Sequence, residues 1–143
     1  MSRLIHPTGV MDREYLIVDD EPDLCWVLKS LLTSKGLHCQ IAQTAQAALD
    51  LMKSHRFQIA LLDVTLPDMN GLELARRLHQ LDPFLRFVVI SGYLSKETAA
   101  GIKVCAEGPI CACINKPFLH DEILGVIQHL AGGEGARAQE AAG

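Results

Sequence analysis

The sequence predicts an α/β fold: a five-stranded parallel sheet in the flavodoxin-like order 2-1-3-4-5, with helices on both faces. Three observations predict it. Short apolar runs alternate with segments of helical periodicity from residue 14 to residue 131. The third run, Phe57–Leu62, is almost wholly apolar, as a strand covered on both faces must be. Residues that carry chemistry close four of the five runs: Asp19 and Asp20, then Asp63, then Ser91, then Lys116. In a parallel sheet these all fall at one edge, where open α/β sheets bind their ligands. The order 2-1-3-4-5 is one of two common arrangements, and it brings Asp19 and Asp20 beside Asp63, Ser91 beside Asp63, and Lys116 beyond.

The elements follow in order. Residues 14–19 read as a first strand. Asp23 is the expected cap of a helix with Leu24, Val27, Leu28, Leu31 and Leu32 at helical spacing, and Gly36 is placed to end it. Residues 37–42 read as a second strand. Thr44 is the expected cap of a helix holding Ala47, Ala48, Leu51 and Met52. After the third strand, Pro67, Asn70 and Gly71 mark a loop, with Asp68 a turn residue and Gly71 freeing the backbone. Leu72, Leu74, Ala75, Leu78 and Leu81 define a third helix that stops before Pro83. Residues 86–90 form a fourth strand and 96–106 a weaker fourth helix interrupted by Gly101. A fifth strand covers 110–115 and a last helix about 119–131. Residues 1–13 and 132–143 read as a flexible arm and a flexible tail or linker around one domain, 14–131.

The chain has 143 residues, 49% hydrophobic and 21% charged, which suits one soluble domain with a real core. A net charge of -4 argues against direct nucleic-acid binding. No apolar run approaches the roughly 20 residues that span a bilayer, and the N-terminus carries no secretory pattern, so no membrane role and a cytoplasmic location are expected. The five cysteines, Cys25, Cys39, Cys105, Cys111 and Cys113, are expected to be free and buried. Trp26 on the first helix is expected to serve packing. Three carboxylates at one sheet edge repel one another; a divalent cation with the Lys116 ammonium returns three positive charges against three negative ones.

Four segments together resemble the receiver domain of bacterial two-component response regulators: Val18-Asp19-Asp20-Glu21-Pro22, Leu62-Asp63-Val64-Thr65-Leu66-Pro67-Asp68-Met69-Asn70-Gly71, Ile90-Ser91-Gly92 and Asn115-Lys116-Pro117-Phe118. The resemblance covers about residues 13–131. It implies that Asp63 accepts a phosphoryl group from a phosphohistidine of a sensor kinase or phosphotransfer protein. It implies a Mg²⁺ site made by Asp19, Asp20, Asp63 and the backbone carbonyl of Thr65. It gives Ser91 the hydroxyl that moves onto the phosphoryl group, Lys116 the pairing cation, and Lys116–Pro117 a cis bond. The output face would be the fourth predicted helix, the fifth strand and the last helix, meeting a partner protein or domain.

The sequence departs from the family at Cys113, where an aromatic switch residue usually stands; a thiol cannot make the same bulky swing. Thr65 and Tyr93 occupy the positions that tune phosphoryl hydrolysis, and Tyr93 is expected to slow attack by water. Two rival functions stand beside the leading one. A receiver-like interaction module would bind partners without modification. A Mg²⁺-dependent aspartyl-phosphate phosphatase would want a second Asp at position 65 as general acid, and Thr65 cannot fill that role.

Overall fold

The structure is a computed structural model that describes residues 13–92, 110–116 and 118–131. The elements are β1 (Glu14–Val18), α1 (Pro22–Ser34), β2 (Cys39–Ala42), α2 (Ala45–Leu51), β3 (Phe57–Asp63), α3 (Gly71–Leu81), β4 (Arg86–Ser91), β5 (Ile110–Asn115) and α4 (His120–Ala131). The expected helix over 96–106, Tyr93, Cys105, the Lys116–Pro117 bond and the tail lie outside the described residues. So does the arm up to residue 12. The strands form one sheet in the order β2-β1-β3-β4-β5, with every pairing parallel. That is the expected topology.

Alternation along the strands sends successive side chains to opposite faces, and each face has its own core. Leu16, Val18, Ala60, Leu62, Phe87 and Val89 pack under α2 and α3 with Leu74, Ala75 and Leu78. Tyr15, Ile17, Ile59, Leu61, Val88 and Ile90 pack under α1 and α4 with Leu28, Leu32, Ile123 and Ile127. Each fully buried Leu or Ile contributes about 2 kcal/mol by leaving water.

Four expectations need correction. The first helix starts at Pro22 with Glu21 as its cap, so Asp23 lies inside the first turn; proline at the first helical position needs no N–H partner. Trp26 is 70% exposed. Cys25, Leu28 and Leu32 turn α1 toward the sheet, and a step of about 100° from Cys25 puts Trp26 on the outer face. Cys113 is exposed, because on the edge strand β5 its neighbours Ala112 and Ile114 face the α1–α4 core. Arg13, expected in the loose arm, is tied down: its guanidinium donates to the Phe57 carbonyl at 3.3 Å and to Asp82 at 3.2 Å. Gly36 does end α1, at φ 78°, where the Gly36 and Leu37 amides bond back to the Thr33 and Leu32 carbonyls. Thr44 does cap α2, accepting from the Ala47 amide at 3.0 Å.

At the end of the sheet away from the acidic edge, Glu14 accepts from Gln40 at 2.9 Å and meets His55 Nδ1 at 2.6 Å. Burial pushes the Glu14 pKa up, but the bonds from Gln40 and His55 outweigh it, and the net shift is downward. A carboxylate held below its unfolded value contributes stability above that value and loses it as pH falls through the folded one. Glu14→Gln is therefore expected to flatten the acid limb of stability against pH below the ordinary carboxylate range. Urea unfolding from neutral to acid pH measures this; parallel curves for the two proteins would contradict it.

Candidate functional site

The sheet register sets the site. Val18 pairs with Leu62, Asp63 with Ile90, and Ser91 with Asn115. Asp19 and Lys116, the residues after Val18 and Asn115, therefore emerge at the same edge as Asp63 and Ser91. The Lys116 amide donates to the Ser91 carbonyl at 2.8 Å, extending the β4–β5 ladder into the site. Ser91 is buried at the end of β4.

Lys116 Nζ is the hub. It donates to Asp19 Oδ2 at 2.9 Å, to Glu21 Oε1 at 3.2 Å and to Asp63 Oδ2 at 3.4 Å. Asp19 and Asp63 are 2% and 6% exposed. Carboxylates so buried need partners. Asp19 Oδ1 takes the Glu21 amide at 2.9 Å, and Asp63 Oδ1 takes the Thr65 amide at 3.2 Å. Burial raises the Asp63 pKa; the Thr65 amide and Lys116 pull it down, the Asp19 charge pushes it up again, and the balance lies above the ordinary value. Burial alone would lower the Lys116 pKa, but the bond and charge of Asp19, with those of Asp63 and Glu21, carry it above its ordinary value.

One oxygen each from Asp19, Asp20 and Asp63 lie within 4.8 Å of one another. The donors are all oxygen and Asp20 faces solvent. Such a set fits a small hard cation that keeps some of its waters. Thr65 sits on the exposed side of the loop after β3.

The loop from Asp63 to α3 contains contacts the local sequence did not reveal. A Cβ on Gly71 would lie 2.1 Å from the Asp63 carbonyl oxygen and 2.9 Å from Val64 Cα, while the Gly71 amide donates to the Val64 carbonyl at 2.7 Å. Gly71 is thus required for close approach; its φ is not positive. Asp68 does more than make a turn: its carboxylate accepts from the Ala45 and Gln46 amides at 2.8 and 3.0 Å, capping α2 across the fold. These bonds hold its pKa below the ordinary carboxylate value. No local signal marks this, since the partners lie 22 and 23 positions away. Asp68→Ala is expected to lower Tm by about 3 °C, with Thr44 still capping one amide. Calorimetry checks it; an unchanged Tm would remove the cross-link from the account.

Cys25 Sγ donates to the Asp19 carbonyl at 3.1 Å. Burial, then the Asp19 charge, pushes its pKa up to about 11; burial likewise brings Cys39 to about 11. Both thiols stay protonated at neutral pH and lack the thiolate that redox chemistry needs.

The profile of the response regulator receiver domain matches residues 15–128. This chain belongs to the response regulator receiver domain family. A response regulator receiver protein of Anaeromyxobacter sp. (strain Fw109-5) is 34% identical to this receiver domain over 112 residues, covering 78% of the chain. The chain spans only 46% of that relative's length. The CheY-like receiver domain of Methanospirillum hungatei JF-1 superposes with a TM-score of 0.76 at 31% identity, over 92% of this chain and 98% of that one. A Burkholderia pseudomallei response regulator, solved with a phosphorylated aspartic acid, a calcium ion and citrate, superposes with a TM-score of 0.72 at 26% identity, over 90% of this chain and 75% of that one. The receiver domain is a signalling domain of two-component systems. Among its described residues no helix is long and apolar enough to cross a membrane.

Proposed function

We propose that Asp63 is the phosphoryl acceptor of this receiver domain, supplied by a phosphohistidine on a sensor kinase or phosphotransfer protein. The observation that carries this is the Lys116 ammonium placed between Asp19 and Asp63, three side chains delivered by three strand ends. In the transfer, an Asp63 carboxylate oxygen forms the new P–O bond as the donor's P–N bond breaks, and the imidazole leaves with the electron pair. Lys116 turns a donor toward the phosphoryl oxygens, and the Thr65 amide keeps the carboxylate oriented.

Asp19, Asp20 and Asp63 would hold Mg²⁺, with the Thr65 carbonyl completing the protein ligands. Bound there, Mg²⁺ supplies charge neutralisation for the carboxylates and the transferring phosphoryl group. Ser91 reads the modification, because its hydroxyl gains a phosphoryl oxygen as partner. The signal passes to a partner protein or domain through β5, α4 and the segment between β4 and β5. Cys113 leaves that switch without an aromatic ring. Thr65 and Tyr93 stand at the sequence positions that tune phosphoryl loss in the family, and Tyr93→Ala is expected to shorten the lifetime of the phosphoryl group.

Incubation with Mg²⁺ and acetyl phosphate tests the proposal. The wild type acquires a hydroxylamine-labile label and Asp63→Asn does not. Equal labelling of the two would overturn it; release of phosphate from varied monoesters at steady turnover would point instead to the phosphatase reading.

A further inference from the structure

An ammonium group has three N–H donors. In this structure Lys116 spends them on three carboxylates: Asp19 at 2.9 Å, Glu21 at 3.2 Å and Asp63 at 3.4 Å. A phosphoryl oxygen arriving at Asp63 needs one of those donors, so one present contact must yield. The Asp19 side chain is 3% exposed, and without Lys116 it would be left as a buried charge. The Glu21 side chain is 64% exposed, so water replaces the lysine there at little cost. Of the two contacts outside the acceptor itself, Glu21 is therefore the one that gives way at the lower cost.

Resting on the reading of Asp63 as the acceptor, we infer that Glu21 is a positioning residue that acts through Lys116. Its carboxylate occupies the lysine donor in the unmodified protein and competes with the incoming phosphoryl group. Two features suit it to this. The Glu21 amide is fixed to Asp19 Oδ1 at 2.9 Å, which anchors the backbone beside the site. The side chain makes no capping bond to α1, so it is free to serve the lysine. Glu21 thus sets how readily the unmodified domain accepts a phosphoryl group, and its departure is part of the change that modification brings.

The test compares wild type, Glu21→Ala, Glu21→Gln and Asp23→Asn. Asp23→Asn removes a charge from the same exposed helical turn, away from the Lys116 contacts, and reports the general field. Labelling by acetyl phosphate with Mg²⁺ is expected to quicken about two- to fivefold in Glu21→Ala, the range an exposed ion pair supplies, and less in Glu21→Gln. The affinity for beryllofluoride with Mg²⁺, followed by fluorine NMR, should rise by a similar factor. Asp23→Asn should match wild type in both. Unchanged or slower labelling in Glu21→Ala, or an equal gain in Asp23→Asn, would overturn the inference while leaving Asp63 in place. A wild type that takes no label and binds no beryllofluoride would defeat the acceptor assignment, and this inference with it.

Discussion

Gly71→Ala is expected to destabilise the protein by about 3 kcal/mol and to slow labelling of Asp63 at least about tenfold. The new methyl carbon would lie 2.1 Å from the Asp63 carbonyl oxygen and 2.9 Å from both its carbonyl carbon and Val64 Cα. Those atoms are backbone, at the junction of β3 and the loop, and cannot rotate aside. The helix propensity gained from alanine, at most about 1 kcal/mol, is too small to offset the overlap. Relief requires the start of α3 to move, and it is held by the 2.7 Å bond from the Gly71 amide to the Val64 carbonyl. A shift there drags the Asp63 backbone and misplaces its carboxylate against Lys116. Gly125→Ala is the contrast. Gly125 lies within α4 with nothing within 4 Å of an added Cβ, so that change should stabilise by about 0.5–1 kcal/mol and leave labelling alone. Urea unfolding and label uptake on both variants check the pair. Equal stability of Gly71→Ala and wild type would mean the loop is less closely held than its geometry requires.

Lys116→Met is expected to abolish efficient labelling and to destabilise the folded state by about 3 kcal/mol at neutral pH. It leaves Asp19 and Asp63, both buried, without their shared cation. The damage depends on pH. Asp63 already titrates above its ordinary value, through burial first and the Asp19 charge besides. A carboxyl raised in the folded state favours folding while protonated, and that advantage is lost as pH rises through its folded value. The deficit should therefore be fullest at neutrality and shrink as pH falls and the carboxyl takes up its proton. Adding Asp63→Asn removes one of the stranded charges, so it should stabilise Lys116→Met more than it stabilises the wild type, a coupling that a double-mutant cycle reads directly. Additive effects would show that the lysine and Asp63 do not interact in solution.

The topology was readable because hydrophobic periodicity and strand-end chemistry agree. Phe57–Leu62 reads as a doubly covered strand, and a parallel arrangement then forces Asp19, Asp63, Ser91 and Lys116 to one edge. What escaped the sequence depends on contacts between distant segments. Asp68 looks like a turn residue until α2 is brought over it. Gly71 looks like a flexible link until the Asp63 carbonyl is set against it. Glu21 looks like a charge at a helix start until Lys116 arrives from a strand end 95 residues away. Trp26 departs from expectation for a local reason: its apolar character favours burial, but its phase on α1 turns it away from the face of Cys25, Leu28 and Leu32.

The most direct test is to locate the modified residue chemically. After incubation with Mg²⁺ and acetyl phosphate, borohydride reduction converts an aspartyl phosphate to homoserine, and peptide mass spectrometry finds the position. The account predicts conversion at residue 63 and at no other carboxylate of the acidic edge. Homoserine at position 19, 20 or 21, or its absence throughout, would contradict it.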